Sequence, residues 1–252
     1  MAVPTPFYHL KIGSELLGYP DLSDSVRSFL EQNRAAFLFG NTAPDVQVLS
    51  GQPREETHFF DLPIRAGDLP PWDRFLMANP SLASSDVLPA EQGAFLAGYL
   101  CHLQADWLWV EQIFAPVFGP VSGWASFEHR LYLHNVLRSY LDQDILRSLP
   151  PDMAGHLGAA APMGWLPFVH DMHLYAWRDR LAQQLQPGAA VQTVEVFAAR
   201  QGISPQAYYR ILTSDEKMDA EVFSHLPREN LVLYRQRLIE ENVRLLKGYL
   251  VR

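Results

Sequence analysis

Residues 93–118 read GAFLAGYLCHLQADWLWVEQIFAPVF, and this stretch decides the fold. Apolar side chains such as Phe95, Leu96, Tyr99, Leu103, Trp107, Leu108, Ile113 and Phe114 cover nearly every side of a helical wheel, and no proline interrupts them before Pro116. A run of that length is a helix rather than a strand, and a helix apolar on nearly all sides is a buried, central one. A membrane span fits poorly, because His102, Gln104, Asp106, Glu111 and Gln112 stand in its middle and second half. The spacing predicts a central helix over 89–115.

Inside that helix His102 and Asp106 stand at i, i+4, one turn apart on one face. An imidazole and a carboxylate so placed can grip a divalent cation. They can equally satisfy each other as a buried hydrogen-bonded pair, since buried polar groups find partners. The rest of the chain bears on that choice.

The chain on either side is helical in pattern. Residues 6–17 read as a short helix with His9 near its start, and Ser23 or Asp24 caps a helix over 24–38. The run Gly40-Asn41-Thr42-Ala43-Pro44-Asp45 stops it, which puts Asp45 on a loop at a helix end. Residues 46–70 show no clear period and are rich in Gly, Pro and charge. They read as a long ordered loop carrying His58, an uncommon feature in a compact domain and often a functional one. Further helices are expected over 71–79, 126–148, 163–185, 190–201, 204–213 and 227–249. A Gly- and Ala-rich connection is expected at 152–162 and another segment at 215–225. No alternating β pattern of any length appears. The expected class is an all-α, multi-helix bundle in one domain, with residues 1–150 as its core and 151–252 as a C-terminal helical extension packed on it.

Composition narrows the function. With 252 residues, 48% of them hydrophobic, the chain can bury a substantial core. A net charge of −8 argues against non-specific binding to nucleic acid or docking on anionic lipid. No nucleic-acid partner and no stable membrane insertion are expected. Cys101 is the single cysteine, so an intrachain disulfide and a cysteine-based zinc site are both excluded. Any metal must be held by His, Asp or Glu. The first residues, MAVPTPFYHLKIGSELLG, lack a basic stretch followed by an apolar core, so a cytoplasmic location is expected.

Nine histidines are present, and the suggestive set is His9, Asp45, His58, His102 and Asp106, all in the first half. In order these sit in Tyr8-His9, Ala43-Pro44-Asp45, Thr57-His58-Phe59 and Gly98-Tyr99-x-x-His102-x-x-x-Asp106-Trp107. This succession resembles the zinc-dependent phospholipase C family, which is related to the zinc-dependent single-strand nucleases, over about residues 1–145. The resemblance implies an all-α fold and a cleft with zinc ions. It implies that Asp45, His58, His102 and Asp106 form one full site, that Asp106 bridges to a second ion, and that His9 ligates that second ion. The family completes the second site with its mature N-terminal residue, a Trp in secreted members, where this chain has Met1-Ala2. At the family's third site His134 matches a ligand, but Arg138 stands in place of a Glu. A guanidinium has only donors and cannot ligate a cation. Arg138 can instead hold a phosphate oxygen in place of the ion, or pair with Asp142 at i+4. One to two zinc ions are therefore expected.

The activity implied is hydrolysis of a phosphate ester by metal-activated water, with Asp45 as general base or orienter of that water and Arg138 stabilising the developing charge. The substrate implied is a small phosphoester or phospholipid headgroup. Members that take choline headgroups place aromatics beside the loop Asp and before the loop His. Val46 and Glu55 stand near those places here, so a choline pocket is not expected. Two other readings stay open: a non-catalytic helical protein with a structural metal, and a helical binding module whose His–Asp pairs are core hydrogen bonds.

Overall fold

The computed structural model describes residues 3–189 and 191–251, so Met1 and Ala2 lie outside the described residues. Helix α1 (Pro6–Gly18) begins at a Thr5 cap whose hydroxyl accepts from the Tyr8 N–H, with Pro6 in the first helical position. The helix expected over 24–38 is two helices, α2 (Asp24–Gln32) and α3 (Arg34–Gly40). They break at Asn33, whose side-chain amide donates to the Phe29 carbonyl and competes with the helical ladder.

Part of the expected 46–70 loop is also helical. A 3₁₀ turn (Ala43–Val46) leads into α4 (Gln47–Ser50) and α5 (Arg54–His58), leaving 59–70 as the irregular part. Elements of four or five residues are too short to show a 3.6-residue period, which is why the pattern hid them. Helix α6 (Pro71–Ala78) follows as expected.

The central helix α7 (Ala90–Trp109) continues as a π-helical segment, Val110–Phe118. Pro116 lies inside that segment. A proline has no N–H to give and its ring crowds the preceding turn, and the wider π turn accommodates it. Helix α8 (Phe127–Ser148) is capped by Ser126 and stops before Pro150. The expected connection at 152–162 contains α9 (Met153–Ala159), whose Gly155 and Gly158 disguise its helicity while Met153, Ala154 and Leu157 are buried. Of the expected 163–185 helix only α10 (Asp171–Gln184) forms, because Gly164 takes φ +64° and Pro167 follows. The chain ends with α11 (Thr193–Gln201), α12 (Pro205–Leu212), α13 (Asp215–Met218) running into a π turn at Asp219–Phe223, and α14 (Arg228–Leu250).

The fold is all-α, with no strand among the described residues. Every residue of α7 from Gly93 to Trp109 is buried. Helices α1, α3, α6 and α14 pack around it, and one hydrophobic cluster joins Phe7 to Tyr249. The Tyr234 hydroxyl of α14 donates to the Ala105 carbonyl of α7 at 3.0 Å. No helix among the described residues is long and apolar enough to cross a membrane.

The tightest packing is between α3 and α7. A Cβ on Gly98 would stand 2.2 Å from the Phe37 carbonyl oxygen, and one on Gly40 would stand 2.0 Å from the Phe95 carbonyl oxygen. Both obstacles are backbone, so neither can swing aside. Gly98→Ala is expected to lower unfolding free energy by about 2 kcal/mol or more. The contrasting change Gly248→Ala, in α14 with open space around it, should raise stability by about 0.5–1 kcal/mol. Urea titration of both variants checks the pair, and a neutral Gly98→Ala would refute the close approach.

Candidate metal centre

Five of the six expected ligands converge. His102 and Asp106 come from one face of α7, His9 from α1, Asp45 from the 3₁₀ turn after α3, and His58 from the last residue of α5. All five are buried. Ligand atoms of His9, Asp45 and His102 lie within 4.8 Å of one another, as do those of His58, His102 and Asp106. His102 belongs to both groups. His58 Nε2 lies 3.4 Å from Asp106 Oδ2 and 3.5 Å from Asp45 Oδ1, and His102 Nε2 lies 3.6 Å from Asp106 Oδ2. The His9 and His102 rings stack with centroids 3.8 Å apart.

The outer ring nitrogens of His102 and His58 are held by groups that set the ring orientation, whereas His9 Nδ1 has no partner among the described residues. His102 Nδ1 donates to the Asn41 carbonyl at 2.8 Å, so Nε2 faces the cluster. The Asn41 side chain in turn donates to the Phe37 carbonyl at 2.9 Å. His58 Nδ1 lies 2.9 Å from the Thr57 hydroxyl and 3.3 Å from the Arg54 carbonyl. The Tyr99 hydroxyl, one helical turn before Leu103 on α7, donates to the Thr57 carbonyl and ties α5 to α7. The Trp177 indole donates to the Thr42 carbonyl at 2.8 Å and steadies the turn that carries Asp45.

The electrostatics suit ligands. Burial, then the His102 charge, push His9 below its ordinary value against the pull of Asp106. Burial and the neighbouring Arg54 charge lower His58 to about 4. Both rings are therefore neutral at pH 7, the form that ligates. Burial opposes ionisation of Asp45 and Asp106. For Asp45 the His58 hydrogen bond and the His102 charge outweigh it, and for Asp106 the His102 charge and hydrogen bond do so with help from His9. Both stay ionised. His102 is the exception: burial works against its proton, but Asp106 and Asp45 overcome it and raise the ring above its ordinary value.

These residues fit a zinc ion. His9 Nε2 and Asp106 Oδ1 approach to 3.2 Å, are both buried, and have no hydrogen-bond partner among the described residues. Orphaned buried donors and acceptors are costly, and a cation between them would satisfy both. The donor set of imidazoles and carboxylates is one that zinc accepts.

Arg54 was not foreseen. Its Nη2 donates to Asp106 Oδ2 at 2.7 Å, and its guanidinium lies over the Phe60 ring at 4.5 Å. The signal was present, because Arg54 stands four residues before His58. It becomes readable only once 54–58 is known to be a helix.

Two expected participants, His134 and Arg138, stand outside the two ligand groups. His134 Nε2 accepts the Trp109 indole N–H at 3.0 Å, its ring packs on Phe114 and Phe118, and burial drives its pKa well down. The register of α8 turns it into an aromatic nest, so the expectation that it ligates is corrected. Arg138 is buried and donates to Asn135 Oδ1 at 3.1 Å and the Pro4 carbonyl at 3.4 Å, with the Phe197 ring 4.3 Å away. It lines a cleft that also reaches Asp45.

Residues 8–111 match the family model described as zinc dependent phospholipase C. The resemblance read from the motifs holds over that segment, which contains all five converging residues and Arg54, while His134 and Arg138 fall outside it. Neither the curated proteins nor the solved structures gave a match.

Because His102 is raised above its ordinary value while His9 and His58 are lowered, zinc binding at pH 6.5 should release a proton from His102. Below the raised His102 value affinity should climb with pH, and above it affinity should level off. In the metal-free chain the same proton stabilises the fold below the ordinary histidine value, and that contribution is lost as pH rises through the raised value. Zinc titration calorimetry in buffers of different ionisation enthalpy measures the proton count, and a count of zero at pH 6.5 would sink this assignment.

Proposed function

We propose that this chain is a zinc-dependent hydrolase of phosphate esters, acting on a phosphodiester or phospholipid headgroup. The single observation that carries the reading is Asp45. It belongs to the buried ligand cluster and also lines an open cleft. A cluster built only to staple helices has no need of a carboxylate on a cleft wall.

Zinc bound there would supply Lewis acidity and a water of lowered pKa. The chain's own residues do the rest. Asp45 stays ionised at neutral pH, so it can orient the attacking water and accept its proton. Asp106 is held in place from two sides, by Arg54 on Oδ2 and His9 facing Oδ1. His58 and His102 keep their Nε2 atoms turned inward because Thr57, Arg54 and Asn41 hold the other ring nitrogen. Buried walls around the cluster exclude bulk water and strengthen every one of these interactions.

The alternative of a purely structural metal draws on the near-complete burial of the five ligands. Activity separates the two, since structural zinc sites are closed. Zinc-loaded protein should hydrolyse bis(p-nitrophenyl) phosphate, a chelator should abolish this, and Asp45→Asn should lower kcat by about 10²–10⁴. Bound zinc with no hydrolysis of any phosphodiester would leave the structural reading.

A further inference from the structure

The cleft beside Asp45 is built largely by the C-terminal half. Helix α10 presents Trp177, Arg180, Leu181 and Gln184 to it, and α11 presents Thr193, Val196, Phe197 and Arg200. The two sets share one spacing, i, i+3, i+4, i+7, so each is a single helical stripe. Stripes of that kind normally close on each other as core. Here they stand apart around the cleft, with Phe7 and Val48 completing the apolar wall.

Charge in the cleft is inverted relative to the chain. The whole sequence carries 20 Lys and Arg against 28 Asp and Glu. The cleft wall carries Arg138, Arg180 and Arg200 against Asp45 alone. Arg138 is buried on α8, while Arg180 and Arg200 are exposed at the rim. Neither rim arginine has an ion pair or hydrogen bond among the described residues, although the neighbouring Arg178 pairs with Asp179 at 2.6 Å. Burial lowers the Arg138 pKa, the Asp142, Asp45 and Asp106 charges work against that, and the Arg200 guanidinium is close enough to repel it. Arg138 is balanced by Asp142, Asp45 and Asp106, whereas the two rim cations have no acidic partner among the described residues and are left for an anion to join.

We infer that this cleft is a subsite for a second anionic group of the substrate, a phosphate carried on an apolar body, while the reacting phosphodiester lies at the ligand cluster beyond Asp45. Guanidinium groups recognise phosphate oxygens in pairs, and Arg180 with Arg200 supplies such a pair at the rim. Trp177, Leu181, Phe7 and Phe197 supply the surface for the apolar body. The inference rests on the hydrolase reading for the word substrate. The binding chemistry rests only on the cleft.

The test uses the full chain and phenylphosphonate, which has an aromatic body, a phosphonate dianion and no bond to hydrolyse. Calorimetric titration is run on zinc-loaded and chelator-treated wild type, and on Arg180→Gln, Arg200→Gln and the double variant. Both arginines are exposed, so the variants should fold. Binding is expected to survive removal of zinc and to weaken by about tenfold or more in the double variant. In parallel, kcat/KM is compared for bis(p-nitrophenyl) phosphate and for a p-nitrophenyl phosphodiester whose alcohol carries a terminal phosphate. The double variant should lose the preference for the second substrate and keep wild-type rates on the first. Binding that vanishes with zinc, or is indifferent to both arginines, would overturn the subsite while leaving the hydrolase reading intact. Arginine-dependent binding without any hydrolysis would overturn the substrate assignment and the hydrolase reading together, leaving an anion-binding cleft.

Discussion

The contact on which most of the structure depends is the backbone-to-backbone approach of α3 and α7. Gly40 and Gly98 allow it, because a methyl group at either position would collide with a carbonyl oxygen. That approach lays the Asn41 carbonyl against His102 Nδ1 and brings the following turn, with Asp45, alongside the same ring. A larger residue at Gly98 would push both the orienting carbonyl and the turn away together. Helix packing and ligand geometry are therefore one constraint here rather than two.

The second constraint is electrostatic. Five ionisable side chains are gathered where water does not reach, and isolating one buried charge would cost several kcal/mol. The cluster avoids that cost by arrangement. His9 and His58 are neutral, Asp45 and Asp106 are charged, and His102 and Arg54 supply positive charge beside them. A cation entering the site can replace the His102 proton without disturbing the neutral rings. The charges balance without metal, while the unpartnered His9 Nε2 and Asp106 Oδ1 leave the cluster receptive to it.

The C-terminal half changes meaning once the fold is seen. Its helices show no motif, and Arg180 and Arg200 look like ordinary solvated charges on amphipathic helices. Packing α10 against α9 and the Ala43–Val46 turn, and α11 against α8, turns them toward a cleft shared with Asp45. The N-terminal half holds the chemistry of the cluster, and the C-terminal half shapes what stands next to it.

The sequence by itself determined the all-α class, the buried central helix and the placing of His102 and Asp106 on one face of it, because helical period and His-x-x-x-Asp spacing are local properties of the chain; His9, Asp45 and His58 joined that pair only through the resemblance to the zinc-dependent phospholipase C family. Boundaries were legible where a helix was long and capped, as at Ser126, and illegible where Asn33 broke one or where 47–50 and 54–58 were too short to show a period. The site was legible where ligands share one helix face. Only the tertiary structure decided that His134 lies among aromatics, that Arg54 reaches Asp106, and that Arg138, Arg180 and Arg200 share a cleft. Those outcomes depend on how separate helices rotate against one another, and no spacing within a single helix encodes that rotation.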